Sequence, residues 1–298
     1  MRILVLGANG QVGFEVVRAL APLGSVIPAA RDAAEVRVDL ADAASLAAAL
    51  DASRADVVVN AAAYTAVDRA EDEPALADRI NHRAVAEIGA WAKRNDRRVV
   101  HYSTDYVFDG TSTAPYREDD ATAPLGAYGR SKLAGEAALR ASGARHLIVR
   151  TAWVYAARGH NFLRTMLRLA GEREELRVVA DQTGAPTPAR LIADATATML
   201  PQWLGDGAGV GHDGIFHVVS SGRCSWFDFA EAIVGAASER GLIARRPRVV
   251  PIATADYPTR ARRPAYSVLD TSKAAAAFGL QLPDWRAGLE SVLDELAT

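Results

Sequence analysis

Apolar runs and stretches of helical spacing alternate along the first half of the chain. Residues 1–6 form a short apolar run typical of a strand buried on both faces, and Phe14, Val17, Leu20 and Ala21 then recur at helical spacing. Further strands are predicted over 25–29, 36–40, 55–60, 98–103 and 146–150, and further helices over 45–50, 74–93 and 131–142. This alternation predicts an α/β protein with a Rossmann-type, doubly wound parallel sheet.

A glycine-rich loop joins the first predicted strand to the first predicted helix. It contains Gly7, Gly10, Gln11, Val12 and Gly13, so its glycines follow a G-x-x-G-x-x-G spacing. Because glycine has no Cβ, the backbone can turn sharply there and approach a phosphate, which the free N–H groups of the helix N-terminus also attract. The loop therefore predicts a site for the pyrophosphate of a dinucleotide.

Tyr128 and Lys132 are candidates for acid–base chemistry. When a hydride reduces a ketone, the oxygen needs a proton, and a tyrosine supplies it more readily beside a positive charge. A lysine four residues further along a helix lies on the same face and can provide that charge. Only three of the 34 basic residues are lysines, and a planar guanidinium could not replace the compact ammonium in this role. Together with the glycine loop, the pair indicates a nicotinamide-dependent carbonyl reductase.

Candidate binding residues follow the carboxyl ends of several predicted strands, where ligands bind in open α/β sheets. Segments 60–63, 103–105 and 151–153 lie there with Gly7, and the hydroxyl of Thr104 could donate to the carbonyl being reduced. Residues 1–150 are expected to form an NAD(P)-binding domain to which later segments return. Residues 151–298, with proline-bearing loops at 184–188 and 257–264 and a helix starting at 226–230, should form mainly a smaller, partly helical substrate lobe.

Composition limits the classes of partner and the cellular compartment to be expected. The chain has 298 residues, half of them hydrophobic, and a net charge of −2, which gives no reason to expect nucleic acid or an anionic membrane as partner. The N-terminus lacks a signal-peptide layout, and no apolar run reaches the ~20 residues of a membrane span. Cys224 is the single cysteine, which fits a reducing cytoplasm. The six histidines show no metal-ligand spacing, so no metal site is expected.

Eight stretches of the chain resemble the dTDP-4-dehydrorhamnose reductases, an extended group within the short-chain dehydrogenase/reductase superfamily. They are GANGQVG, VVNAAAYTAVDRAE, HYSTDYVFDG, AYGRSKLAGE, RTAWVYA, NFLRTMLRLA, DQTGAPTPA and YPTRARRPAYS. The similarity runs from Met1 to about Leu296. The resemblance implies hydride transfer from NAD(P)H to C4 of dTDP-4-dehydro-6-deoxy-L-mannose (dTDP-4-dehydro-β-L-rhamnose), giving dTDP-L-rhamnose in the last step of its synthesis.

The same resemblance implies roles for individual residues. The catalytic set is Thr104, Tyr128 and Lys132. With the loop glycines and the strand-end residues, the expected cofactor contacts are Gly7, Gly10, Gln11, Val12, Gly13, Asp39, Leu40, Ala61, Ala62, Ala63, Tyr64, Thr65, Tyr102, Tyr128 and Lys132. Thr104, Asp105 and Trp153 are expected to contact the sugar nucleotide, and Arg262 or Arg263 its diphosphate.

Three other functions share this fold or these motifs. Sugar-nucleotide dehydratases follow the strand-end threonine with Asp-Glu, whereas here Tyr106 follows Asp105, which disfavours dehydration. A sugar-nucleotide epimerase is disfavoured by the family resemblance alone. A non-catalytic NADP-binding regulatory subunit of methionine adenosyltransferase is the alternative outside enzymology, and the intact Thr104, Tyr128 and Lys132 favour an enzyme.

The end of the second predicted strand bears on cofactor choice. An acid there would bind the adenosine ribose and repel a 2′-phosphate, but the chain has Ala30 followed by Arg31, whose guanidinium suits a phosphate. We therefore expect NADPH as hydride donor, with NADH as a second donor. In a competing interpretation Arg31 is a solvated loop residue and Asp32 binds the ribose.

Magnesium is the remaining question raised by the family. Some members are dimers bridged by Mg²⁺ through carboxylates, one of them at the position of Glu15. Arg190 stands where this chain would supply another carboxylate, and it cannot ligate a cation. We expect a monomer or homodimer without an obligatory Mg²⁺ bridge, and an ion pair between Glu15 and Arg190 is one replacement.

Overall fold

The computed structural model describes residues 1–32, 35–205 and 212–298. The strands are β1 (Arg2–Leu6), β2 (Ser25–Ala30), β3 (Val36–Arg37), β4 (Val57–Asn60), β5 (Arg98–Thr104), β6 (Arg145–Thr151), β7 (Val154–Tyr155), β8 (Glu175–Val179), β9 (Thr183–Gly184), β10 (Thr187–Pro188), β11 (Gly214–His217), β12 (Cys224–Ser225) and β13 (Arg248–Ile252). The α-helices are α1 (Gln11–Leu20), α2 (Ala43–Ser53), α3 (Val67–Asp72), α4 (Pro74–Asp78), α5 (Ala84–Arg94), α6 (Ala127–Ala141), α7 (Phe162–Glu172), α8 (Ala189–Gly205), α9 (Trp226–Glu239), α10 (Ser272–Phe278) and α11 (Trp285–Ala297).

A seven-stranded parallel sheet forms the centre of the described chain. Its strand order is β11-β6-β5-β4-β1-β2-β3, and the order reverses between β1 and β4. One face is covered by α1, α8 and α10, and the other by α2, α5 and α6. The predicted Rossmann-type, doubly wound sheet is therefore confirmed, and the crevice at the carboxyl ends of its strands is where a ligand is expected.

The smaller lobe has a core of its own. Helices α7, α9 and α11 surround the parallel pair β8 and β13, and their apolar side chains form one buried cluster. The helix predicted to begin at 226 is α9, whose first turn is held by a capping box between Ser225 and Asp228. Two segments after residue 150 return to the sheet, because β11 extends it beyond β6 and α8 packs on α1.

Several element boundaries differ from the pattern-based prediction. The third strand was expected over 36–40 but ends at Arg37, because Asp39 turns the chain toward α2: its N–H donates to Ser45 and its carboxylate accepts from the N–H of Ala41. The helix predicted over 131–142 begins four residues earlier, at Ala127, and therefore includes Tyr128. Phe14, assigned to the apolar face of α1, is 42% exposed.

The single helix predicted over 74–93 is divided by a π-helical segment, Arg79–Arg83, between α4 and α5. Asn81 in this segment is buried, and its side chain bonds the backbone of Tyr64 and the hydroxyl of Ser131. A π-bulge of this kind is common near functional sites. No helix of the described residues is long and apolar enough to cross a membrane.

Candidate functional site

The glycine loop between β1 and α1 is packed too tightly for side chains. Gly7 has φ +80°, and a Cβ there would lie 2.7 Å from the backbone nitrogen of Ala62. A Cβ on Gly13 would lie 2.1 Å from the carbonyl oxygen of Gly7. No side chain of the described residues caps α1, so the N–H groups of its first turn remain available to a phosphate. These features fit the pyrophosphate of a dinucleotide.

A second segment lies across this loop. The Nδ2 of Asn161 donates to Oε1 of Gln11 over 2.8 Å, and the guanidinium carbon of Arg158 lies 3.3 Å from the ring centroid of Phe14. Gly159, which lies between Arg158 and Asn161 in the sequence, packs on the side chain of Gln11. The loop after β7 therefore forms the outer wall of the dinucleotide crevice, a contact between segments 150 residues apart.

The opposite wall follows β4. Asn60 accepts from the N–H of Ala62, and Asn81 makes two hydrogen bonds with the backbone of Tyr64, from its N–H at 2.8 Å and to its carbonyl oxygen at 3.0 Å. The expected cofactor-binding residues of this segment, Ala61, Ala62, Ala63, Tyr64 and Thr65, are thus ordered along the carboxyl edge of the sheet. Nothing in the helical pattern of residues 74–93 singled out Asn81, because its role depends on a contact across 17 residues.

Thr104 and Tyr128 lie together at the carboxyl end of β5 and the start of α6. Burial raises the pKa of Tyr128 to about 12, and the neighbouring Thr104 side chain opposes that rise. The ring of Tyr106 packs edge-on against that of Tyr128, with the ring centroids 5.6 Å apart. In this structure, therefore, Thr104 rather than Lys132 is the group that lowers the pKa of the tyrosine. Tyr128 retains its proton, as a general acid must.

Lys132 is almost completely buried, with 2% of its surface exposed. Its Nζ donates to the carbonyl oxygen of Tyr102 over 2.6 Å and lies 3.4 Å from Nε2 of His101. Burial lowers the pKa of Lys132 to about 8, while the negative charge of Glu136 opposes this shift. A lysine with this pKa can gain and lose a proton close to neutral pH.

The substrate side of the crevice contains a buried carboxyl group and a strained tryptophan. Asp105 is 1% exposed and accepts a 3.0 Å hydrogen bond from the hydroxyl of Thr104, and burial raises its pKa to about 6. Trp153 has φ +47°, a conformation that bulky side chains rarely adopt outside functional sites. Its indole ring stacks on that of Trp226, which the sequence analysis did not single out.

Comparison with known proteins identifies the family. The family model described as RmlD substrate binding domain matches residues 1–298. The dTDP-4-dehydrorhamnose reductase of Burkholderia thailandensis is 54% identical over 291 residues, which cover 96% of each chain. That of Escherichia coli K12 is 47% identical over 300 residues, covering 100% of this chain and 99% of the relative. The chain belongs to the dTDP-4-dehydrorhamnose reductase family.

Solved structures of this reductase family share the fold over the full length. The enzyme from Clostridium acetobutylicum, 34% identical, superimposes with a TM-score of 0.90 and covers 100% of both chains. The enzyme from Bacillus anthracis, crystallised in complex with NADP, is 33% identical, has a TM-score of 0.89 and covers 99% of both chains. Both the resemblance seen in the sequence motifs and the fold are therefore confirmed.

The other residues predicted to contact the cofactor differ in how their side chains are used. Leu40 is buried beside Asp39, whose carboxylate is used in the turn before α2. The hydroxyl of Tyr102 forms a 2.7 Å hydrogen bond with Thr196 in the core, so the ring of Tyr102 is directed away from the site. Tyr102 contacts the site through its backbone carbonyl oxygen, which accepts from Lys132. At the end of β2, Arg31 and Asp32 are both exposed, whereas Ala30 is buried.

The two candidate arginines for the diphosphate have different surroundings. Arg263 forms an ion pair with Asp68 over 2.8 Å and also donates to the carbonyl oxygen of Ala261. Arg262 is exposed. Asp68 belongs to α3, a helix that the sequence analysis did not predict, so the pairing of Arg263 could not have been anticipated.

Proposed function

We propose that this chain reduces the C4 keto group of dTDP-4-dehydro-6-deoxy-L-mannose to dTDP-L-rhamnose. The observation that carries the proposal is the placement of Thr104, Tyr128 and Lys132 at the carboxyl edge of the sheet, beside the glycine loop, in a chain 54% identical to a relative named for this reaction. The reaction needs a hydride, which the reduced nicotinamide supplies when it is bound.

The protein's own residues supply the proton and the orientation. The hydroxyls of Thr104 and Tyr128 would bond the C4 oxygen, and Tyr128 donates its proton as negative charge develops there. Lys132 would hold the nicotinamide ribose and return a proton to the tyrosinate. Asp105 and Trp153 would bind the sugar, and Arg262, which is exposed, has a guanidinium that suits the diphosphate better than the paired Arg263.

The dinucleotide would lie between the two walls of the crevice. The glycine loop would bind the pyrophosphate, with Asp39 and Leu40 near the adenine side and the segment from Ala61 to Thr65 along the nicotinamide half. Arg31 is exposed at the end of β2, which favours recognition of a 2′-phosphate and hence NADPH, with NADH as a second donor. We place the reaction in the cytoplasm, where the free, buried thiol of Cys224 would stay reduced.

The alternatives have less support in the site. Beside Asp105, the position where a dehydratase carries its second carboxyl group is occupied by Tyr106, whose pKa burial raises further above its ordinary value. A regulatory subunit without catalysis would not need a buried lysine whose pKa lies near neutrality. The oligomeric state we propose is a monomer or a homodimer.

The test is a direct assay of turnover. The absorbance of NADPH and of NADH is followed in separate reactions with enzymatically generated dTDP-4-dehydro-L-rhamnose, and the product is identified by mass spectrometry and NMR. We expect stoichiometric cofactor oxidation and dTDP-L-rhamnose, with the faster rate for NADPH. Tight NADPH binding without oxidation would instead support the regulatory subunit, and a dehydrated sugar or an isomerised 4-keto sugar formed without cofactor oxidation would contradict reduction.

A further inference from the structure

His101 lies behind the candidate catalytic lysine in a buried polar chain that joins β4, β5 and α6. Asn60 and His101 are neighbours across β4 and β5, each 1% exposed, and Lys132 is 2% exposed. The Nδ2 of Asn60 lies 3.2 Å from Nδ1 of His101, and Nε2 of His101 lies 3.4 Å from Nζ of Lys132.

The direction of each hydrogen bond along this buried polar chain is set by the backbone N–H of Ala62, where it begins. The backbone N–H of Ala62 can only donate, and it points at Oδ1 of Asn60 over 3.2 Å. The other amide atom of Asn60 is therefore its NH₂ group, which donates to Nδ1 of His101. Burial and the neighbouring charges of Lys132 and His146 hold the pKa of His101 well below its ordinary value, so the ring is neutral. A neutral ring with a bare Nδ1 carries its single proton on Nε2.

That Nε2–H points at the nitrogen of Lys132. An ammonium group has three N–H donors and no lone pair, so it would meet the histidine N–H donor to donor. A neutral amine has one lone pair, and it can accept from His101 while still donating to the carbonyl oxygen of Tyr102. Every donor and acceptor along this buried polar chain, from Ala62 through Asn60 and His101 to Lys132, therefore has a partner only when the lysine is neutral.

We propose that His101 is a positioning residue that stabilises the neutral amine of Lys132 by donating its Nε2–H to Nζ, with Asn60 fixing the tautomer. The role rests on the proposed function. Tyr128 gives its proton to the C4 oxygen, and the resulting tyrosinate takes one from the Lys132 ammonium. The amine left behind then accepts the hydrogen bond from His101 until water returns the proton. The lysine thereby becomes a better proton donor during turnover.

Other charged groups around Lys132 act on the same equilibrium. Glu136, one turn further along α6, favours the ammonium, but its carboxylate is shared between Ser103 and the guanidinium of Arg150, which reduces its effect. Tyr128 lies on the same helix, and His146, on β6, lowers the pKa of His101 but is not among the groups that shift the pKa of Lys132. Burial accounts for the largest part of the low pKa of the lysine, so the contribution of His101 must be measured separately.

NMR can test this on the intact protein without added substrate or dinucleotide. The chain has three lysines and six histidines, so selectively ¹⁵N- and ¹³C-labelled side chains give few signals, assigned by Lys132→Arg and His101→Phe. We expect Lys132 to titrate with a pKa of about 8, below the ordinary value of a lysine. We also expect His101 to stay neutral over the same range, with its proton on Nε2. A proton on Nδ1 would overturn the proposal, even if no variant folds.

Variants of His101 distinguish the effect of this hydrogen bond on the pKa of Lys132 from the effect of burial. His101→Phe keeps a ring in the same space but has no N–H, so the pKa of Lys132 should rise by about one pH unit, the effect of losing one hydrogen bond to the neutral form. His101→Gln retains a side-chain donor and should restore most of the wild-type value. His146→Phe, on the neighbouring strand, is the matched control and should leave Lys132 unchanged.

The kinetic consequence provides a second readout. If Lys132 must be charged to start a cycle, kcat/KM should decline at alkaline pH as the lysine loses its proton. In His101→Phe this decline should shift to higher pH, together with the pKa of Lys132. An unchanged Lys132 pKa in a folded His101→Phe would show that the histidine has only a structural role. These titrations are independent of the substrate, so their failure is distinguishable from a failure of the reductase assay.

Discussion

The indole rings of Trp153 and Trp226 stack face to face, with their centroids 3.5 Å apart and their planes 4° from parallel. Trp153 lies just after β6 in a left-handed conformation, and Trp226 begins α9 in the smaller lobe. The stack therefore links the catalytic edge of the sheet to the lobe proposed to bind the sugar. Because a left-handed tryptophan is strained, its orientation must be maintained by its neighbours.

Gly184 is one of these neighbours, and Gly184→Ala should displace the Trp153 indole. A Cβ there would lie 2.4 Å from Cε2 of Trp153. We expect kcat/KM for the sugar nucleotide to fall roughly 10- to 100-fold, the usual cost of misplacing a binding group by about 1 Å, with NADPH affinity unchanged. Circular dichroism should report the movement as loss of the exciton signal of the stacked indoles.

The matched control is Gly171→Ala, since a Cβ on Gly171 meets nothing within 4 Å. It should keep both the exciton signal and the wild-type rate. Retention of the exciton signal and of full activity in Gly184→Ala would show that Trp153 can be accommodated elsewhere.

Tyr128→Phe tests the proton donor. The ring and its edge-on contact with Tyr106 are kept and only the hydroxyl is lost, so the fold should be unaffected. We expect kcat to fall roughly 10²- to 10⁴-fold, the range for losing a positioned general acid, while the Kd for NADPH stays the same. Stopped-flow turnover and a fluorescence titration of NADPH measure the two quantities. Tyr257→Phe, at a residue that is 58% exposed, is the control, and near-normal turnover in Tyr128→Phe would exclude the assignment.

Arg31→Ala tests cofactor choice. If the exposed guanidinium at the end of β2 binds the 2′-phosphate, the substitution should raise KM for NADPH about tenfold or more and leave KM for NADH little changed. Initial rates with each cofactor measure the effect, and Arg94→Ala, at an exposed position in the last turn of α5, is the comparison. Equal losses with both cofactors, or a wild-type preference for NADH, would assign the ribose to Asp32 instead.

The contact between Glu15 and Arg190 leads to a prediction about magnesium. Glu15 is 3% exposed, lies 3.8 Å from the guanidinium of Arg190 and also pairs with Arg18 over 3.0 Å. Because arginines surround this carboxylate, we expect sedimentation velocity to give the same mass with EDTA and with Mg²⁺. Arg190→Glu places a second carboxylate there and should make Tm rise when Mg²⁺ is added. A wild-type dimer that EDTA dissociates and Mg²⁺ restores would contradict this prediction.

Local signals in the sequence were sufficient for most of the fold. The glycine loop and the buried strands were identified because their residue types reflect local geometry and burial on both faces. The sequence pattern did not place the start of a helix where no neighbouring side chain caps it. At α6 the N-cap residue is Gly126, and the N–H of Ala127 donates to the carboxylate of the distant Glu71, so nothing in the local pattern indicated that Tyr128 already belongs to that helix.

The sequence by itself determined the doubly wound sheet, the family, and the residues proposed for hydride and proton transfer, because each depends on periodicity or on a short motif. Only the tertiary structure brought His101 against Lys132, Trp226 against Trp153, and Asp68 against Arg263. These pairs come from segments far apart in the chain, and they meet through the packing of α6 on β5, of the smaller lobe around the two tryptophans, and of the 257–264 loop on α3. A hydrogen bond or a ring stack depends on ångström-scale placement that hydrophobic patterning does not specify.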